Sequence, residues 1–287
     1  MILSKITQAT QFLPSLNLDL ANDRFTDFFL RAQEWLVSHV IGDGLETVLE
    51  TEVGMTASDS HADLRRLCQR VIAEKGLLDA IPEMDMQLTE AGFAVQNNDQ
   101  FTPASAQRVD RLMAKMPERI AADVDSLVRY LLKNSDGTEN EPKPYDNWRG
   151  SEQFKYLTAC FMPLYEIYDR YVQPPVMSYE QFYKAIPSLA KEMKVVADYY
   201  VSAEEIARLI ELTRGGELLE IHRTAIGWLC HVAASAYVKN IPAARNYAAY
   251  ARNVMLSDPD SFSAFKASDA FNKPSVNLDA GQLVNML

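Results

Sequence analysis

The sequence predicts a mainly α protein built from two tandem, duplicated helical modules, with a small β-hairpin inserted in the first. Three observations predict it. Apolar residues recur at three- and four-residue steps through most of the 287-residue chain, the period of a helix with one buried face. Motifs of the first half return in order in the second: Ala32-x-Glu34-x-x-Val37 as Ala190-x-Glu192-x-x-Val195, His61 as His222, and Ile81-Pro82 as Ile241-Pro242, all at a nearly constant offset. The offset then shortens where Asp123-Val-Asp125-Ser126 returns as Asp258-Pro-Asp260-Ser261. Residues between Pro82 and Asp123 therefore read as an insertion in the first module.

The elements follow in order. Residues 24–40 bring Phe25, Phe28, Phe29, Ala32, Trp35, Leu36 and Val40 onto one helical face, and Gly42 and Gly44 can close that helix through the left-handed conformation. A short helix over 45–52 follows. Residues 61–81 form a longer helix carrying Leu64, Leu67, Cys68, Val71, Ile72, Leu77 and Leu78, which Pro82 ends because proline disfavours helical geometry at the residue before it. Over residues 86–102, Leu88 and then Phe93 and Val95 alternate with polar residues around Glu90-Ala-Gly92, the pattern of a β-hairpin with a polar tip at residues 97–100. Thr102-Pro103 opens the next helix, since threonine caps free N–H groups and proline at the first position loses no hydrogen bond. Its stripe runs from Val109 to Leu131, with Pro117 as a kink or a second start.

Residues 135–147, with Gly137, Pro142 and Pro144, read as a linker. The domain reading is thus a helical module over 1–134 with its hairpin at about 86–102, the linker, and a second module over 148–287 ending in a docking tail. That second module carries helices over 153–171, 179–200, 203–213, 218–238 and 242–256.

Composition narrows the function. With 28 Lys+Arg against 39 Asp+Glu the net charge is −11, the wrong sign for a polyanion-binding surface, so no nucleic-acid contact is expected. No uninterrupted apolar run is long enough for a spanning helix, so no membrane is expected, and no secretory signal stands at residues 1–16. Cys68, Cys160 and Cys230, odd in number and far apart, read as reduced buried thiols. The cytoplasm, or a virion assembled there, is the expected location.

No residue set spells out chemistry. His222 and His231 are nine positions apart on one helix, nearly opposite in direction at about 100° per residue, so they cannot share a metal locally. Glu46 and Glu50 lack the glutamate-x-x-histidine partner of a carboxylate metal site and read as a solvated face. Gly215-Gly216 follows a helix, unlike the phosphate-cradling loops that follow a strand, and reads as a helix stop. No cofactor, metal or catalytic residue is expected. Trp35, Trp148 and Trp228, with Tyr165, Tyr168, Tyr171, Tyr199 and Tyr200, are core or interface residues, or the lining of a ligand pocket.

The stretch Leu88-Thr-Glu-Ala-Gly92-Phe93-Ala-Val95, and then Thr102-Pro103-Ala104-Ser105-Ala-Gln-Arg108-Val109, resembles a segment of an uncharacterised family from tailed-phage and prophage structural modules. The opening helix, Phe25 to the Gly44 turn, is similar to that of head–tail connectors, which are helical and assemble as rings around the portal. The resemblance covers residues 20–132, and the second half only through the proposed repeat; the long second module departs from small connectors. It carries over no catalytic residue. It implies a non-enzymatic virion adaptor acting through protein partners, itself in a ring among them. Phe93, Val95, Asn97, Asn98 and Phe101 of the hairpin are then the candidate partner-binding residues, because Phe93, Val95 and Phe101 place apolar area in an otherwise polar excursion. The alternative is a helical small-molecule-binding domain or enzyme using the second-half aromatics.

Overall fold

A computed structural model describes residues 1–3, 6–13, 23–51, 61–84, 87–89, 92–94, 106–135, 137, 141, 143–171, 177–215 and 217–273. The protein is mostly helical. Its backbone divides into two compact units, Met1–Phe154 and Lys155–Leu287.

The first unit opens with α1 (Ile6–Ala9) and α2 (Asp23–Leu36), runs through a π-helical turn (Val37–Ile41) into α3 (Gly42–Thr51), and continues with α4 (Ala62–Met84). After α4 come two strands of three residues, β1 (Gln87–Thr89) and β2 (Gly92–Ala94), then the long α5 (Ala106–Lys133) and a 3-10 turn (Asp146–Gly150). The core forms where α4 packs between α2 and α5. Phe25, Phe29, Ala32 and Leu36 of α2 meet Leu64, Cys68, Val71 and Ile72 of α4, and Ile120, Val124, Leu127, Val128 and Leu131 close the other side, all buried. Gly76 sets the α2–α4 approach: a Cβ there would lie 2.6 Å from the Phe29 ring.

Polar side chains fasten the smaller elements. The buried Gln33 amide accepts from Ile2 N at 2.8 Å and donates to Glu46 Oε1 at 2.5 Å and Glu50 Oε1 at 2.9 Å. The Met1 amine, 2.7 Å from Glu50, holds that carboxyl below its ordinary value, with Gln33 adding to the effect. Glu46 and Glu50 therefore form a tethering cluster, and the solvated-face reading is corrected. Arg65 of α4 donates from Nε and Nη2 to Leu49 O, near the carbonyl end of α3, where a cation is favoured.

The second unit contains α6 (Glu152–Leu157, entered from the first), α7 (Tyr165–Tyr171), α8 (Tyr179–Val201), α9 (Ala203–Gly215), α10 (Glu220–Tyr237), α11 (Ile241–Ser257), a 3-10 turn (Pro259–Ser261), α12 (Ser263–Lys266) and α13 (Asp269–Asn272). Here α8, α10 and α11 pack mutually. Small buried side chains, Ala225, Ala233, Ala234 and Ala236 with Ala244, Ala248 and Ala251, line the α10 and α11 core faces, which lets two helices approach closely. The fully buried Glu205 ties α9 to α12, accepting from Phe265 N at 2.9 Å and from Arg208 Nη1 at 2.7 Å. His222 accepts from Leu219 N at 3.2 Å and donates through Nε2 to Ser261 O at 2.9 Å.

Three expectations need correction. The duplication is not supported, because matched residues occupy different places. Pro82 lies inside the last turns of α4 whereas Pro242 opens α11, and Asp123 and Asp125 sit mid-α5 whereas Asp258 and Asp260 belong to a turn. Gapped matching had paired helical sequences of similar composition. Nor is a projecting hairpin module supported. Among the described residues strand pairing is confined to six, with Leu88 opposite Phe93, a ladder too short to add a β layer to a helical unit, and residues 95–105 lie outside the described residues. The linker reading of 135–147 is also corrected: Tyr145 is buried within the first unit, and the division between units falls after Phe154. Pro117 lies within α5, so it does not start a second helix.

Candidate functional site

A recess in the first unit lies where the π-turn, the start of α3 and residues 144–153 converge. It encloses about 250 Å³, lined by Ile41, Gly42, Leu45, Trp148 and Gln153 among others, with Asp43, Val48 and Asn147 at the exposed rim. The π-turn widens the helical spiral by one residue, and the carbonyl of Val40 accepts the buried Trp148 indole N–H at 2.9 Å. Gly42 leaves the π-turn at φ 76, a left-handed value that glycine takes without strain. A Cβ at Gly42 would stand 2.5 Å from Gln153 Oε1, so a bare backbone lets Gln153 close that side.

Local hydrogen bonds fix the other wall. Asp146 accepts from Gly137 N at 2.8 Å and Lys143 N at 2.7 Å. Ser151 Oγ donates to Trp148 O at 2.6 Å and accepts from Phe154 N at 3.2 Å. The Tyr145 hydroxyl and His61 Nδ1 share a hydrogen bond of 3.0 Å. Burial, with Tyr130 close by, pushes the Tyr145 phenol well above its ordinary value, so it stays protonated and serves as a hydrogen-bonding group. The arrangement is a preformed apolar floor with a polar rim, suited to holding an inserted group.

A second cluster lies between α4 and α5. Glu74 is buried and hydrogen-bonded to Arg119, and Asp123 pairs with Arg70 at 3.2 Å. Burial first, and then the negative charge of Asp123, raise the Glu74 carboxyl above its ordinary value, and burial raises Asp123 likewise. Glu74 Oε2 is buried without a hydrogen-bond partner.

Of the sequence-predicted residues, Phe93 lies in β2, while Val95, Asn97, Asn98 and Phe101 fall outside the described residues. The aromatic candidates separate. Trp148 lines the recess; Tyr165 and Tyr168 pack on Phe182 inside the second unit, at ring distances of 5.7 and 5.1 Å. Trp228 lies half-buried on α10. All three cysteines are free and buried, and burial pushes the thiols of Cys68 and Cys160 up to about 12. Among the described residues no cluster of His, Cys, Asp and Glu is arranged to hold a metal, and no helix is long and apolar enough to cross a membrane. Sequence reasoning missed His61, Tyr145 and Gln153 as recess residues. Two aromatic residues in a Pro- and Gly-rich stretch, Tyr145 and Trp148, were the available signal.

Residues 34–158 are similar to a family of unknown function, DUF6712. The match spans every residue that lines the recess, from Ile41 to Gln153. No curated protein and no solved structure matches the chain.

Proposed function

We infer that this protein is a non-enzymatic structural adaptor of phage or prophage particles, head–tail connector-like, that acts by binding protein partners, its own copies in a ring among them. The observation that carries this reading is an aromatic face on the second unit. Trp228 and His231 of α10 and Tyr247 and Tyr250 of α11 are all half-buried. Trp228 lies 6.0 Å from Tyr247 and 5.0 Å from Tyr250, and His231 stacks on Tyr247 at 4.8 Å. Burial lowers the His231 value below that of free imidazole, which keeps the ring neutral and apolar near pH 7. Tryptophan and tyrosine dominate the hot spots of protein interfaces, and rings already braced against one another lose little freedom when covered. The resemblance of residues 88–109 to phage structural modules supplies the setting, and a ring needs such a face to meet a different surface of the next copy.

Light scattering and negative-stain microscopy of the full chain test the reading. The expected result is a closed oligomer, reduced to monomer by Trp228→Ala with Tyr247→Ala while circular dichroism stays unchanged. A chain that remains monomeric at every concentration measured overturns it.

The first-unit recess favours a second reading, a small-molecule-binding protein, although with the site away from the second-half aromatics first considered for it. A ligand that raises the melting temperature of the intact chain but not of Trp148→Phe supports that reading over the adaptor.

A further inference from the structure

Each unit carries a surface with unmet hydrogen-bonding groups, and the two sets are complementary. In the first-unit recess, His61 and Tyr145 satisfy each other at 3.0 Å, whereas the side chains of Asp43, Asn147 and Gln153 make no hydrogen bond among the described residues. All three offer an acceptor oxygen, and Asp43, as a carboxylate, can only accept. No lysine or arginine lines the recess, so nothing there calls for an anion. On the second unit, the Trp228 indole N–H and the Tyr247 and Tyr250 hydroxyls likewise make no hydrogen bond among the described residues. Each is a donor carried on an apolar ring.

Size and charge point the same way. The recess encloses about 250 Å³, and an apolar cavity of about 150 Å³ holds benzene, so an indole or phenol ring enters with its polar group at the rim. Gly44 keeps the mouth open, since a Cβ there meets nothing within 4 Å. Residues 1–154 carry 15 Lys+Arg against 25 Asp+Glu, and residues 155–287 carry 13 against 14. Two first units brought face to face therefore repel each other, while a first unit meeting a nearly neutral second unit does not.

We propose that the aromatic face of one copy docks into the first-unit recess of the next. Trp228 enters over the apolar floor of Trp148 and Leu45, and the tyrosine hydroxyls donate to Asp43, Asn147 and Gln153 at the rim. An aromatic anchor seated in a pocket is the usual centre of a protein interface. Because the contact joins unlike surfaces, each copy keeps one of the two for a further neighbour, the condition for a ring. The docking rests on the adaptor reading, and it names the surface that the aromatic face meets.

Two full-length variants test it, Val48→Cys at the recess and Thr224→Cys at an exposed position one turn before Trp228, because the three natural cysteines are buried. Mixed under mild oxidation, they are expected to form linked dimers at least tenfold faster than either variant alone, since unlike positions meet. Linking no faster in the mixture overturns the proposal. Gly44→Trp, which fills the recess, is expected to weaken self-association at least tenfold at unchanged circular dichroism. An oligomer that Trp228→Ala with Tyr247→Ala dissociates, but that Gly44→Trp leaves intact, overturns the recess as the docking surface and leaves the adaptor reading standing. A wild-type chain that never self-associates overturns both.

Discussion

At the scale of single residues, the recess depends on Gly42 and Trp148, which meet from distant parts of the sequence. Gly42 sits at φ 76 with Gln153 against its α-carbon. Gly42→Ala adds backbone strain and a clash, and is expected to cost about 1–3 kcal/mol, read as a lower urea midpoint at unchanged slope. Gln153→Ala relieves the clash but not the strain, so the double variant recovers only part of the loss. Trp148→Phe keeps the aromatic floor but leaves Val40 O buried without its donor, at about 1–3 kcal/mol. The glycine at position 42 was legible as a break in the helix, and its positive φ agrees, although its ψ of 161 is not that of a left-handed cap and α3 starts at once. What it faces was not, because the contact with Gln153 joins residues more than a hundred positions apart. In the second unit Arg252 satisfies three carbonyls with a planar guanidinium. A lysine there offers a point charge in place of a fork, so Arg252→Lys is expected to lose most of the stability that Arg252→Met loses, measured by the same urea titration.

At the scale of elements, the helical stripes were the most legible part of the sequence: the apolar positions read for α2, α4 and α5 include most of the residues buried there. Period alone does not report a π-turn, and Val37–Ile41 was read as plain helix because one extra residue per turn barely moves the apolar stripe. Nor did it reveal the carboxyl pair that α4 and α5 bring together, since Glu74 and Asp123 pair across elements. Glu74 carries a pH prediction. Burial and the charge of Asp123 raise its value in the folded protein above that of the unfolded chain, so the folded state holds the proton more tightly. Stability is then highest at pH below the unfolded carboxyl value and falls as pH rises through the raised one. Urea midpoints measured upward from about pH 4.3, the value of a free glutamate, are expected to show that fall. Glu74→Gln, which holds a neutral side chain at every pH, is expected to flatten it. An equal fall in the variant would assign the pH dependence to other groups.

At the scale of the whole molecule, the sequence conveyed two helical parts but not their relation. The proposed repeat was a consequence of shared helical composition, and the turn and cap positions that distinguish one helical unit from another overrule it. The two units have separate cores, and each contains at least one buried thiol, Cys68 in the first and Cys160 and Cys230 in the second. Burial pushes all three thiols up, so the reactive thiolate is scarce and shielded in the folded state. A thiol reagent at pH 8 should therefore leave the native protein nearly unlabelled. Compact units with their own cores unfold as units, so labelling through a urea gradient, read site by site by peptide mass spectrometry, is expected to expose Cys160 and Cys230 together. Cys68 is expected to become reactive at its own midpoint, because a different core governs it. A shared midpoint for all three would show one cooperative structure. Separate midpoints for Cys160 and Cys230 would divide the second unit itself, where α7 through α9 lie between one thiol and the α10 core that holds the other.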